Sequence, residues 1–256
     1  MITLSIIMFI VSKVRGSIHF MIPDIKKRIK DLVSDPARLA AIQEAVETYE
    51  QAGDQLDKKQ KSYNKLLEIM IEKRGTSKAE LTALFTAVLE ALKAAQRILV
   101  WGNSFLIANL TQEEFSALHS PDAKKTAQRE EKRKDAVEKV KEDSQQSLDK
   151  IRTLATEIIP DPVRQQAVFS AVQDYQDSLG RYFQEYNKWN LRDNEVLTDY
   201  NSSEAQMQEL IDELNGSRVN MYTAFIELYL RLSDVCNDEE WKAAVKALKK
   251  TSKAAS

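Results

Sequence analysis

Apolar residues recur along this chain in alternating steps of three and four. Leu39, Ile42, Val46, Tyr49, Gly53, Leu56, Gln60, Tyr63, Leu67 and Met70 form the first such series. Held over more than four heptads, the spacing predicts a coiled-coil-like helix of about 39 residues, about 58 Å long. Gly75 marks its end, with Lys73 and Arg74 suited to the negative end of the helix dipole. Ser77 with Glu80 three residues on is a capping box that opens a return helix. Leu81, Leu84, Val88, Ala91, Ala95, Ile98, Gly102 and Phe105 line that helix to about Asn109. So short a turn makes the two helices antiparallel neighbours. A short helix over Ile25, Ile29, Leu32 and Val33 precedes the hairpin. Another, capped by Thr111 and Glu114 and carrying Phe115 and Leu118, closes it.

The plan then returns. Asp35-Pro36-Ala37-Arg38 recurs 126 positions later as Asp161-Pro162-Val163-Arg164, with Ala/Val/Tyr positions following each copy in step. At the same offset Ser203 and Gln206 repeat the Ser77–Glu80 box, and Asn237 with Glu240 repeats Thr111–Glu114. Any two heptad patterns align, so the repeated helix boundaries are the specific part of the match. The second long helix has Val168, Val172, Tyr175, Leu179, Tyr182, Tyr186, Trp189, Val196 and Tyr200 in its seam. Its return helix has Met207, Leu210, Leu214, Ser217, Met221, Ala224, Leu228 and Val235. The expected organisation is an apolar N-terminal segment at 1–21, a first helical repeat at 22–120, a charged connector at 121–147, a second repeat at 148–248 and a polar tail at 249–256. The fold class is all-α, an elongated bundle of two tandem antiparallel hairpins.

The connector differs in character. From Asp122 to Asp143 there are eight Lys or Arg and seven Asp or Glu, with Val137 and Val140 the only large apolar residues. Pairs such as Glu130–Lys134 and Asp135–Lys139 have the orientation that supports a solvated helix.

Composition agrees with this reading. Only 6 Gly and 5 Pro punctuate 256 residues, and 43% of them are hydrophobic and 30% charged. That describes a helical globular chain with few turns. A net charge of −2 offers no basic face for nucleic acid. The single cysteine, Cys236, makes no intramolecular disulfide and reads as a small apolar core residue. Ile2 to Val11 is nearly all apolar, about half the length that spans a bilayer, with Lys13 and Arg15 after it rather than before. It reads as a degenerate export or membrane-anchor segment at residues 2–12, a hydrophobic element packing on the bundle, or an extension ahead of a start at Met21. Membrane-associated or exported location is therefore weakly favoured over cytoplasmic.

Candidate chemistry is sparse. Tyr182, Tyr186 and Trp189 share one stripe, which serves either an aromatic groove for a partner or a broad aromatic core. Packing is the expected role, since Tyr49 and Tyr63 stand in the seam of the first repeat. Arg97 and Asp54, and Arg192 and Asp212, are placed to pair across their hairpins. Arg231, Arg38 and Arg164 have no evident structural duty and are the candidate interaction residues beside those aromatics. Glu113–Glu114 and Glu239–Glu240 are adjacent carboxylates at helix starts, where capping accounts for them better than acid–base chemistry. His19 and His119 lack Cys or His at ligand spacing, and no phosphate loop, nucleophile elbow or His-Glu-x-x-His occurs. No catalytic residue, metal or cofactor is assigned. Leu110-Thr111-Gln112-Glu113-Glu114 resembles the Leu-Thr-x-x-Gln element of small periplasmic stress chaperones, which are long helical hairpins. The resemblance covers five residues, ends in Glu rather than Gln, and carries no residue roles over.

The expectation is a non-enzymatic helical interaction or scaffold protein with a protein partner, with a membrane-active helical protein or a cytoplasmic adaptor as alternatives. Oligomeric state is left open.

Overall fold

The protein, seen in a computed structural model, is described over residues 22, 24–120 and 123–254. The apolar segment predicted at 1–21 lies outside these residues, as do the side chains of Val137 and Val140. All regular structure among the described residues is α-helical: α1 (Ile25–Leu32), α2 (Pro36–Glu72), α3 (Lys78–Asn109), α4 (Gln112–His119), α5 (Ala123–Ile158), α6 (Pro162–Thr198), α7 (Glu204–Val235) and α8 (Asp238–Ala254).

The boundaries follow local chemistry. The Asp35 carboxylate accepts from the Arg38 N–H at 2.7 Å, with Pro36 at the first helical position, where its missing N–H leaves nothing unsatisfied. Asp161 and Pro162 do the same for α6. Ser77–Glu80, Thr111–Glu114 and Ser203–Gln206 form full capping boxes at α3, α4 and α7. The helices α2 and α6 are each 37 residues long and α3 and α7 each 32, starting and ending at positions 126 apart. Gly75 takes φ 87°, the left-handed turn conformation that glycine adopts without steric cost.

The charged connector and the start of the second repeat share one helix. α5 runs unbroken from Ala123 to Ile158, across the boundary expected at 147. No breaker stands before Pro160, so the charged helix passes directly into the docked stretch where Ser147, Leu148, Ile151 and Ala155 are buried. At the other end, α8 continues to Ala254, into the expected polar tail.

The hairpins pack side by side. α3 lies against α7, running antiparallel to it, with α2 outside α3 and α6 outside α7. Phe85 stacks on Tyr222 with centroids 4.6 Å apart, and Asn215 Nδ2 donates to Gln96 Oε1 at 2.9 Å. The return helices therefore bury a second face beyond the hairpin seam. In α3 it holds Phe85, Leu89, Leu92, Gln96 and Val100.

Each hairpin turn is held by the other hairpin. Tyr229 of α7 donates from its hydroxyl to the Lys73 carbonyl and accepts from the Thr76 N–H at 3.1 Å. The Trp241 indole N–H donates to the Glu72 carbonyl at 3.1 Å. Two last-turn carbonyls of α2 thus find donors on the opposite hairpin rather than in water. In the reverse direction, Tyr200 beyond α6 donates to the Leu110 carbonyl at 3.0 Å and packs on Phe115.

Candidate functional site

Among the described residues, two junctions, an apolar cleft and a buried polar chain depart from plain helix packing. At the first junction, Arg38 pairs with Glu114, the carboxylate that also caps Thr111 N–H at 2.8 Å. At the second, Arg164 forks onto Glu240, with Nη1 to Oε1 at 3.1 Å, and its Nε donates to the Val235 carbonyl at 3.0 Å. Asn237 N–H completes the shell of Glu240 at 2.7 Å. Both arginines thus tie the start of a long helix to the cap of the short helix that closes the hairpin.

Arg164's hydrogen bond, with its charge and the Asn237 N–H, holds the Glu240 carboxyl below the usual carboxylate range against the opposing pull of burial. Burial pushes Glu114 upward, but the Thr111 N–H and Arg38 outweigh it, and its net shift is also downward.

The aromatic stripe is core. Tyr182 and Trp189 are buried and Tyr186 is half-buried, their ring centroids spaced 6.1 Å from one to the next. Arg231 pairs with Asp174 at 2.6 Å on the exposed surface. Arg192 pairs with Glu213 at 2.6 Å rather than with Asp212, one residue away from the expected partner. Arg97 and Asp54 are both exposed and form no pair with each other, because a register read from turn position alone is accurate only to about a residue. His119 ends α4, its Nδ1 2.9 Å from the Phe115 carbonyl and its ring on Phe115. Burial pushes its pKa down. Among the described residues no group of His, Cys, Asp or Glu is arranged to hold a metal ion.

Sequence reasoning missed Arg218. It is fully buried in α7, with Nη1 donating to Asn215 Oδ1 at 2.8 Å, which continues to Gln96 across the α3–α7 interface. It also hydrogen-bonds Tyr182, and burial raises the phenols of Tyr182 and Tyr222 against the opposing charge of Arg218. The position 126 earlier is Leu92, which is buried among Leu56, Ala91 and Ala95. One offset comparison therefore carried the signal: an apolar core position in one hairpin is a guanidinium in the other.

The same comparison exposes the cleft. Between the end of α2, the end of α5, the start of α6, the end of α7 and α8 lies an apolar cleft of about 130 Å³. Ile71, Ile151, Leu154, Phe225, Leu232 and Trp241 are among its walls. Its counterpart in the first hairpin, lined by Ile25, Leu99, Gly102, Asn103 and Leu106, holds about 20 Å³. Those five residues stand 126 positions before Ile151, Phe225, Leu228, Tyr229 and Leu232 of the larger cleft.

Three substitutions along the offset remove side-chain volume beside the larger cleft. Ile29 and Leu118, both fully buried in the first hairpin, correspond to Ala155 and Ala244. Tyr200, which covers Phe115 from the other hairpin, corresponds to Arg74, whose side chain extends instead to the Ser233 carbonyl and to Asp238. Two aliphatic side chains and one ring are smaller or absent here, while Phe225, Leu228 and Tyr229 stand where the first hairpin has Leu99, Gly102 and Asn103. Cys236 lines the same cleft, and burial raises its thiol pKa.

No protein-family model, curated protein or solved structure matches this chain.

Proposed function

We propose that the protein is a non-enzymatic helical interaction or scaffold protein, built by duplication of a helical hairpin, whose second hairpin receives a protein partner. The observation that carries this reading is the apolar cleft of about 130 Å³ at a place where the first hairpin is filled. Unfilled apolar volume inside a helical core lowers stability, by roughly 24 cal/mol per Å³ in measured cases. A cleft of this size, walled by aliphatic and aromatic side chains and open to one side, is the kind of surface that takes an apolar group from another molecule. The long helices supply a stiff frame around it, and the two arginine junctions fix the frame at both hairpins.

Photo-crosslinking tests the reading. A photoreactive residue placed at Leu154, on the cleft wall, is expected to give protein adducts in cells. The same residue at Lys188, on the exposed face of α6, is expected to give none. Absence of adducts from the cleft and from every other surface position tried would remove the interaction reading.

The apolar run Ile2–Val11 motivates a second reading, a membrane-active helical protein. Among the described residues no helix is long and apolar enough to cross a membrane, so that reading rests on the N-terminal run alone. Liposome leakage unchanged by deleting residues 1–20 would exclude it.

A further inference from the structure

We infer that the apolar run Ile2–Val11 of this same chain folds back onto the outer groove of the first hairpin, where Trp101 stands open. Its place there is independent of the cleft in the second hairpin and of any protein partner.

Comparison of the two hairpins sets this groove apart. Between α2 and α3 lies an open depression of about 330 Å³, lined by Thr48, Ala94, Arg97, Ile98 and Trp101. Trp101 keeps 43% of its surface exposed, and its ring lies 5.6 Å from that of Phe105. The outer side of a helical pair is ordinarily polar, and the second hairpin follows that rule. There Arg231 reaches from α7 to Asp174 of α6 at 2.6 Å, and Arg192 reaches from α6 to Glu213 of α7 at 2.6 Å. At the positions 126 earlier the first hairpin has Phe105 and Thr48 for one pair, and Leu66 and Ala87 for the other. Trp101 stands where the second hairpin has Glu227, which pairs with Lys78 at 2.7 Å. Charges that span the groove in one copy are thus replaced by uncharged and mostly apolar side chains in the other. A face of this kind fits an apolar cover rather than water.

The chain itself carries such a cover. Ile2–Val11 holds eight large apolar side chains, whose exposure to water is unfavourable, in a run about half as long as a bilayer-spanning helix. The depression exceeds the cavities of about 150 Å³ that hold a benzene-sized group, so it takes more than one aliphatic side chain. The run is joined to the bundle at Ile22, which packs on the same core cluster as Phe105. The intervening Ser12–Met21 reaches about 33 Å when extended, against a helix diameter of about 10–12 Å. Such a tether gives the run an effective concentration on the order of mM, which favours it over a second copy or a free partner for the same groove.

The other route along α2 is unsuited to the run. In the second repeat α5 lies on α6 through Arg152, which donates to Gln176 at 2.8 Å, and Lys26 with Glu50 at 2.9 Å repeats that contact in the first. Upstream the two repeats part. α5 continues without a break, whereas α1 begins at Asp24, whose φ of 53° is left-handed. Glu50, Asp54 and Asp57 stand where α6 has Gln176, Gly180 and Phe183, so a continued helix would set apolar side chains over carboxylates. Thr48 is about 200° around α2 from Glu50, on the side of the open groove.

The test uses purified full-length protein with a photoreactive residue at the exposed Thr48 or at Ile98, in an equal mixture of isotope-labelled and unlabelled chains. After irradiation and tryptic digestion, mass spectrometry is expected to find the Met1–Lys13 peptide joined to either position, within chains of one label. A photoreactive residue at Glu50, or at Ala224, the counterpart of Ile98, is expected to give none of that product. Trp101→Glu with Phe105→Arg installs the side chains of the second hairpin and should lower the yield from Thr48 roughly tenfold or more, with thermal melting showing an intact fold. Ile7→Asp with Phe9→Asp should do the same while leaving the groove untouched. Absence of the Met1–Lys13 adduct from both Thr48 and Ile98 would overturn the inference. So would adducts that join chains of different label, which put a second copy in the groove. Equal yield from Glu50, or a yield that either pair of substitutions leaves unchanged, would overturn it as well.

Discussion

Arg164 and Glu240 face each other with two guanidinium nitrogens on two carboxylate oxygens, and the carboxylate they share is also the cap of the last helix. A forked pair of this kind orients as well as attracts, because the planar guanidinium fits a carboxylate in one geometry. It fixes where α6 begins relative to where α8 begins. Arg38 and Glu114 join α2 and α4 at the first hairpin.

Replacing Arg164 with Met should therefore lower the urea midpoint without changing the m-value, and Lys should recover only part of the loss, since it cannot fork. Because the folded-state pKa of Glu240 is lowered, its contribution is present above the unfolded carboxylate pKa and lost as pH falls through the folded value. The stability gap between wild type and Arg164→Met should accordingly shrink below about pH 4. A gap that stays constant down to acid unfolding would show that the pair's charge contributes nothing.

Filling the cleft should stabilise the free protein. Ala244→Leu adds apolar contacts to open volume and is expected to raise stability by about 1–2 kcal/mol, below the ceiling set by the cavity term. For a chain of this size that is a rise in melting temperature of about 2–8 °C. The reverse change in the first hairpin, Leu118→Ala, removes a fully buried side chain and should cost about 2–5 kcal/mol. Calorimetry of the two variants checks both signs.

Arg218 gives a contrast between two substitutions. Arg218→Ala leaves a void and strips Asn215 and Tyr182 of a partner, and should destabilise by about 3–5 kcal/mol. Arg218→Met keeps most of the volume and removes the buried charge, so it should fall within about 1 kcal/mol of wild type or exceed it. Equal, large losses in both variants would mean that the charge itself holds the α3–α7 interface together.

His119 predicts a pH dependence at a different point. With its Nδ1 proton given to the Phe115 carbonyl, the buried ring favours the neutral form, and its folded pKa lies below the unfolded value. The unfolded chain then binds the proton first. Stability should be full above about pH 6.5 and fall as pH drops through the folded pKa, at no more than about 1.4 kcal/mol per pH unit. His119→Phe should flatten that region of the profile, measured by urea midpoints between neutrality and the onset of carboxylate titration.

Much of the architecture was legible in residue order alone, because helix boundaries are local events. An Asp before a Pro, a Ser three residues before a Glu, or a Gly able to take a positive φ needs no distant partner. The sequence thus defined the two hairpins, their capping boxes, the helical connector and the seam of Tyr175 and Tyr182. It also placed Arg38 and Arg164 at helix starts, but not their partners, since a pairing across 76 positions depends on how the closing helix folds back. The division at 147 marks a change from solvated to buried surroundings and not a helix end, since α5 meets no breaker before Pro160.

What tertiary structure decided was the meeting of the hairpins. One sequence seam describes one contact face, whereas α3 and α7 each need two; the second keeps a heptad spacing of its own, Phe85, Leu89, Leu92, Gln96, Leu99 and Asn103 in α3 and Ile211, Asn215, Arg218, Tyr222, Phe225 and Tyr229 in α7, but its polar and charged members read as solvent-facing until the hairpins meet. Only once α3 lies against α7 does Arg218 become a buried cation beside Asn215, and only then does Tyr229 hold the turn at Lys73. The cleft belongs to the same level. The alanines at 155 and 244 are ordinary residues in the chain, and they border open volume only because the tertiary packing sets α5, α7 and α8 around a space beside which the first hairpin carries Ile29 and Leu118.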